Sequence, residues 1–292
     1  MATHNHVFSL SGEVIKNQSV GLYLVAQMSY LTKLFTFNNM GTWSKIKKLN
    51  LSLPITSNGH IDYKFMEERM RELEEERMRE LEAYLKVAGF EDCTLSESET
   101  KILELIEKNI IHLKEVKIGS LFDIHPTKTY GLTNKDLFSR KGEIPVVSNT
   151  SSNNGIADKI GLDPTEKGNM ITYSDTTTSD AIFYQPFDYV GYSHVQGLYP
   201  FQLDGWTENT LLYFVTLFKK SAAGRFDYAN KFNRTIASNM SVSVPVTDDG
   251  SIDFNVMETY IRAIKKECIA RLKAEINREQ DVYKKVVNDS NE

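Results

Sequence analysis

The residues of this 292-residue chain that could do chemistry point to hydrogen bonding and charge, and none forms a recognisable bond-breaking set. His194 stands between Ser193 and Val195 at the start of a strand-like run, and His6 holds the same place in an earlier, similar run. A recurring histidine could be a ligand or a base, but no cysteine or acidic cluster accompanies it, so structural hydrogen bonding is the more economical reading. Asp175 and Asp180 bracket a threonine run and could hold a cation; Asx and Ser/Thr turns account for such a run more simply. His125, ahead of Pro126, reads as a loop residue. GxSxG, the P-loop, HExxH and the glycine-rich dinucleotide fingerprint are absent from the sequence. So are the Asn/Asp-Pro-Pro-aromatic motif of adenine methyltransferases and a convincing PD-(D/E)xK nuclease pattern. No catalytic residue, metal site or cofactor is expected.

What remains is a set of side chains suited to nucleic acid: Lys128, Tyr130, Lys159, Tyr173, Thr176, Thr177, Thr178, Arg225, Lys231, Asn233 and Arg234. Isolated cations in polar loops can hold phosphates, while hydroxyls and amides can reach base edges. Any surface loop has a similar make-up, so the weight falls on the elements that carry these residues.

Those elements are organised by a duplication. Leu51-Ser52-Leu53-Pro54-Ile55-Thr56 leads through Gly59 to Ile61-Asp62 and Met66-Glu67. Val242-Ser243-Val244-Pro245-Val246-Thr247 leads through Gly250 to Ile252-Asp253 and Met257-Glu258, each pair 191 apart. A unit this long implies a duplicated domain-plus-helix module rather than a solenoid. The likeness extends back to residues 21–31, a helix matched by 211–220, and to His6, matched by His194. Residues 117–193 have no counterpart before His6. They carry short strand-like runs at 143–148, 170–174 and 181–184 between polar turns, the mark of a β-rich domain.

After each proline comes an amphipathic helix. The first has a narrow apolar stripe at Met66, Met70, Leu73, Leu81 and Leu85; the second carries Met257, Ile261, Ile264, Cys268, Leu272 and Ile276. Residues 67–74 recur unchanged as 75–82. Eight residues exceed two turns, so the copy turns the stripe by about 80°, and Arg77 falls where the other copy has Cys268. Taken alone, this is a solvated helix laced with Glu–Arg pairs. Gly89 ends it, and Ser96 with Glu99 has capping-box spacing for a further helix through Ile110 and Leu113.

The composition, 41% hydrophobic and 25% charged, is that of a globular protein of one or two domains. The formal net charge of −5 argues mildly against nucleic acid as a partner. It is unevenly spread: residues 61–116 hold 16 acids and nine bases, so the deficit lies in the helical segment. No signal peptide or membrane span is evident, which makes the cytoplasm the expected location. Two cysteines without CxxC spacing imply neither a disulfide framework nor structural zinc.

The order of elements resembles the specificity subunits of type I restriction-modification systems and of related fused restriction-methylation enzymes. Four features carry the resemblance together: Lys117 to Asp123 followed by 142–148 and Asn154-Gly155; 170–174 with 181–184; Val244-Pro245-Val246 leading into a long helix; and the double occurrence of that ending. The resemblance implies an α+β chain, with a β-rich target recognition domain plus long antiparallel coiled-coil helices. Residues 1–59 would be the end of a truncated first recognition domain, 60–116 a helical spacer, 117–250 a complete recognition domain and 251–292 a second spacer helix. It further implies a non-catalytic subunit that binds one half-site of a bipartite double-stranded DNA target. Its helices would dock methyltransferase subunits, with restriction subunits joining through the complex. Because the first recognition domain is partial, pairing with another partial subunit or self-association is also expected. A coiled-coil assembly module that does not touch DNA, and an enzyme centred on His194 or the 175–180 loop, stay open at this point.

Overall fold

The computed structural model describes residues 9–35, 39–90, 92–176, 180–226 and 231–289. The chain divides into two units, Met1–Asp92 and Cys93–Glu292. Among the described residues no helix is long and apolar enough to cross a membrane.

The first unit contains α1 (Gln18–Met28), the short turns α2 (Leu31–Leu34) and α3 (Trp43–Ile46), and the long α4 (Tyr63–Val87). Asn17 caps α1 by accepting the Val20 N–H at 3.2 Å, and its amide donates to Glu67 of α4 at 2.7 Å, so one side chain both starts α1 and ties it to α4. The sequence places a strand near His6; residues 1–8 lie outside the described residues, and Ser9 and Leu10 are irregular.

The second unit opens with α5 (Glu97–Glu107). It continues through β1 (Leu113–Lys117), β2 (Phe122–Pro126), α6 (Asn134–Phe138), β3 (Lys141–Val147), β4 (Ile156–Ile160), β5 (Met170–Ser174), β6 (Ile182–Gln185), β7 (Val190–Gly191) and β8 (Val195–Pro200). α7 (Glu208–Ala222), α8 (Arg234–Asn239), β9 (Ser241–Pro245) and α9 (Phe254–Asp289) complete it. Helices and sheets together give the α+β class read from the sequence. An antiparallel sheet runs β2-β8-β5-β6, a second sheet runs β4-β3-β7, and β1 pairs with β9. The main core lies between the four-stranded sheet and α7, where Phe122 packs on Trp206 and Phe214 with centroids 4.7 and 4.8 Å away. Burying each such side chain contributes about 2–3 kcal/mol. The second sheet has a smaller core of Leu137, Val146, Ile160 and Val190.

One helix is shorter than the sequence pattern suggests. The capping box at Ser96 forms with both of its bonds, but α5 ends at Glu107 instead of running through Ile110 and Leu113. Asn109 takes φ 55, its N–H bonds the Ile106 carbonyl and the Ile110 N–H bonds the Leu105 carbonyl. This Schellman closure is the one Gly89 makes at the end of α4, with φ 76 and N–H bonds from Gly89 and Phe90 to Lys86 and Leu85. Leu113–Lys117 then form β1, paired antiparallel with β9.

The duplication is reproduced bond for bond at the two turns. Ile55 bridges Ile61 as Val246 bridges Ile252. Thr56 N–H bonds the His60 carbonyl at 2.8 Å, and Thr247 that of Ser251 at 2.9 Å. Gly59 and Gly250 have φ 79 and 82, a region open to glycine at no steric cost. Asp62 and Asp253 each accept an N–H three residues on, at 2.9 and 3.0 Å, starting α4 and α9. Met66 and Met257, one turn later, are both fully buried.

Candidate nucleic-acid interface

Strand register brings several polar residues to one end of the four-stranded sheet. β2 ends at Pro126 opposite Gln196, and the next residue, Thr127, donates its N–H to the Val195 carbonyl at 3.0 Å. β5 ends at Ser174 opposite Val195, and Asp175 donates its N–H to the His194 carbonyl at 3.1 Å. Ser174 N–H bonds the carbonyl of Ala181, just ahead of β6. The last residues of β2 and β5 and the first of β8 and β6 therefore share one rim.

Lys128 is the cation held most firmly there. Its N–H donates to Glu166 Oε1 at 2.6 Å and its carbonyl accepts from Thr165 Oγ1 at 2.7 Å. Glu166 is buried and also accepts from the Tyr199 hydroxyl at 3.0 Å. Burial first, then the Glu166 charge, pushes the Tyr199 pKa well up, so this hydroxyl stays a donor. With both main-chain groups fixed, the exposed Lys128 side chain projects from a set position, and among the described residues it has no ion-pair partner. A lysine so held can meet a phosphate without ordering its loop first.

At the end of β5, Thr176 lies in a hydroxyl turn, its N–H on Ser174 Oγ at 3.3 Å and its Oγ1 3.4 Å from Asn149 Nδ2. Asp175 accepts from Gln196 Nε2 at 2.8 Å on one oxygen and lies 3.1 Å from His194 Nδ1 with the other. The His194 side chain is 59% exposed and takes φ 66. Among the described residues no group of three or more His, Cys, Asp or Glu could hold a metal ion.

The family model for the type I restriction modification DNA specificity domain matches residues 111–277. The chain belongs to that family. The matched segment contains both sheets, α7, the rim and the first part of α9. A curated relative is the specificity subunit S.BcgI of a type II restriction enzyme from Heyndrickxia coagulans, 21% identical over 257 residues, covering 87% of this chain and 69% of the relative. Among solved structures, the S subunit of a type I restriction-modification system from M. genitalium aligns at 14% identity and TM-score 0.48, covering 93% of this chain and 71% of that one. The HsdS subunit from Thermoanaerobacter tengcongensis aligns at 12% and 0.38, covering 78% and 60%. The protein is a specificity subunit of a restriction-modification system with a DNA-recognition domain.

In this specificity subunit the sequence-derived DNA set divides. Lys128 follows the end of β2 and Thr176 the end of β5, two strands that flank β8 at the rim; Thr177 and Thr178 lie outside the described residues. Tyr173 does not reach the surface: it is 1% exposed, packs on Phe232 at 4.8 Å and Phe218 at 5.7 Å, and among the described residues its hydroxyl has no hydrogen-bond partner. Burial pushes its pKa well up; the Asp175 charge adds to this and Arg234 opposes it. Tyr173 is thus buried beneath the rim, and Arg234 is the exposed first residue of α8. Tyr130 is exposed, with its hydroxyl on the Asp163 carbonyl at 2.8 Å. Lys159 lies on β4 in the other sheet, paired with Glu143 at 3.1 Å. Arg225 lines a groove of about 370 Å³ with Thr235, Ile236 and Asn239. Lys231 is exposed, and Asn233 caps α8 through the Ile236 N–H at 2.9 Å.

The apolar helix positions divide as well. Met66 and Leu85 are buried, Met70, Leu73 and Leu81 half-buried, and Met78, outside the stripe drawn from the sequence, is half-buried too. The octad copies Met70 onto Met78, and that copying is its signal. Met257 belongs to the main core of the recognition unit, so it is not a free docking position. Ile261 and Ile264 are half-buried, Cys268 and Leu272 exposed, and the Ile276 side chain lies outside those described. His125 is in strand β2, not a loop, stacked on Tyr199 at 3.8 Å. Glu166, Gln196 and Asn149 carry no sequence signal because their roles depend on strand register, which no local pattern encodes.

Proposed function

We propose that this specificity subunit reads one half-site of a bipartite duplex through the rim of its four-stranded sheet and docks methyltransferase subunits through its helices. Methylation and cleavage are then the work of methyltransferase and restriction subunits, and the chain itself supplies no catalytic group. The observation that carries the reading is the clamped Lys128 at a rim shared with Thr176, Asp175 and His194, inside the segment matched by the specificity-domain family. A fixed cation positions phosphate, and the hydrogen-bonding side chains beside it can reach base edges. For docking, the support is α9. Its first turns pack on α7, with Tyr213 and Tyr260 5.7 Å apart, while Cys268 and Leu272 further along are exposed. At 36 residues α9 is about 54 Å long, ample for a partner-binding arm. The test is co-purification with a methyltransferase subunit of a restriction-modification system, followed by duplex binding with and without it. The reading predicts a stable complex whose affinity for duplex exceeds that of either component; a chain that neither joins the methyltransferase nor changes its DNA binding contradicts it.

A further inference from the structure

We propose that His194 reads one base of the recognised half-site through its outward nitrogen, Nε2, and that Asp175 decides which kind of base by fixing the imidazole tautomer. This rests on the DNA-recognition reading above and adds to it a named specificity residue with a chemical preference.

Asp175 accepts from Gln196 Nε2 on Oδ2 at 2.8 Å and faces His194 Nδ1 with Oδ1 at 3.1 Å. An ionised carboxylate can only accept, so Nδ1 must carry the hydrogen. In the neutral ring this leaves Nε2 as an acceptor. The His194 side chain is 59% exposed and that of Asp175 only 23%, so the acceptor is open to solvent while the group that orients it lies beneath.

The backbone supports the same view. His194 takes φ 66, a left-handed conformation that is strained for a residue with a Cβ. The main chain is held there by Asp175 N–H on the His194 carbonyl at 3.1 Å and Val195 N–H on that of Tyr192 at 3.2 Å. Those bonds use backbone atoms only, and glycine would make them without strain. The imidazole is therefore not needed to build the turn, and its free edge shares the rim with Lys128 and Thr176.

In the major groove, adenine N6 and cytosine N4 present amino donors, whereas guanine O6 and N7 and thymine O4 present acceptors. An Nε2 acceptor pairs with the first kind and faces a lone pair in the second. The strand contacted by His194 should thus carry adenine or cytosine at one position.

The test uses the full chain in complex with its methyltransferase, in buffer of about pH 8, where imidazoles are ordinarily neutral. Affinity is measured by fluorescence anisotropy against duplexes in which each base pair of the half-site is varied in turn. His194→Gly removes the ring at a position whose backbone suits glycine. It should lower discrimination at a single position by roughly five- to tenfold, the value of one lost hydrogen bond, and leave the others intact. Asp175→Asn places an amide donor against Nδ1 and moves the ring hydrogen to Nε2, so preference at that position should turn toward guanine or thymine. Variants that weaken binding uniformly, or that keep every base preference, overturn the proposal while the recognition reading stands. A wild-type complex with no base preference anywhere overturns both.

Discussion

Arg262 donates through Nε to Oε1 of Glu99 at 2.6 Å, and Lys266 donates to Oε2 at 2.8 Å, so two cations of α9 hold one carboxylate of α5 across 163 and 167 residues of chain. Glu99 is 1% exposed and also accepts the Ser96 N–H in its capping box. Burial alone would raise its pKa; the bonds from Lys266, Ser96 and Arg262 outweigh that and lower it to about 2, from an ordinary 4.5. A depressed carboxylate pKa stabilises the fold above the unfolded value, and the contribution disappears as pH falls from about 4.5 toward 2. At neutral pH it amounts to about 3 kcal/mol. Glu99→Gln should remove most of it and flatten the acid limb of stability. Urea titrations of the full chain between pH 7 and 3 would check this; equal acid limbs for variant and wild type would show that the ion pairs are idle.

The paired turns give a second expectation. Gly59 and Gly250 share φ near 80°, so Gly59→Ala and Gly250→Ala should each cost about 1–2 kcal/mol. Hydrogen exchange should localise the first loss to the start of α4 and the second to the start of α9. A neutral Gly250→Ala would mean that the turn does not set the helix start.

Lys128 is expected to act on affinity rather than sequence. Lys128→Ala should weaken binding to all duplexes alike and reduce the slope of log K against log salt by about 1, the share of one phosphate contact. Anisotropy titrations across a potassium chloride series read both. A selective loss at one base pair would instead make Lys128 a base reader.

These sites are legible in the sequence to different degrees. Gly59, Gly250, Pro54 and Pro245 announce the duplicated turn, and Ser96 with Glu99 announces a helix start, because turns and caps are made within a few residues. Asn109 is hard to see as a helix end because asparagine ends helices less often than glycine, while the apolar spacing of Ile106, Ile110 and Leu113 runs on into a strand. Tyr173 reads as a DNA contact and Met257 as part of an apolar docking stripe, since nothing local shows that β5 is central or that α9 begins inside the core. The clamp on Lys128 and the Asp175–His194 pair arise where β2, β5 and β8 meet, and pairing between segments 19 to 68 residues apart leaves no local trace. Thr176 stands out because hydroxyl-rich loops are conspicuous wherever they lie.

The tandem octad supplies a geometric prediction. Deleting residues 75–82 shortens α4 by about 12 Å and rotates the remainder of the helix by about 80°. In a complete enzyme the spacing between half-sites should change by about 3–4 base pairs at 3.4 Å each, with the half-site sequences unaltered. Mapping methylated sites for one-copy and two-copy versions would decide it, and an unchanged spacer would remove α4 from any role in spacing.

The central claim, that this chain directs a methyltransferase to a split DNA sequence, is tested most directly by methylome sequencing of cells expressing a methyltransferase subunit that binds it, with and without this chain. The account predicts a bipartite methylated motif that appears only when the chain is present, with one half-site relaxed at a single position by His194→Gly. Methylation that is the same in both strains would contradict it.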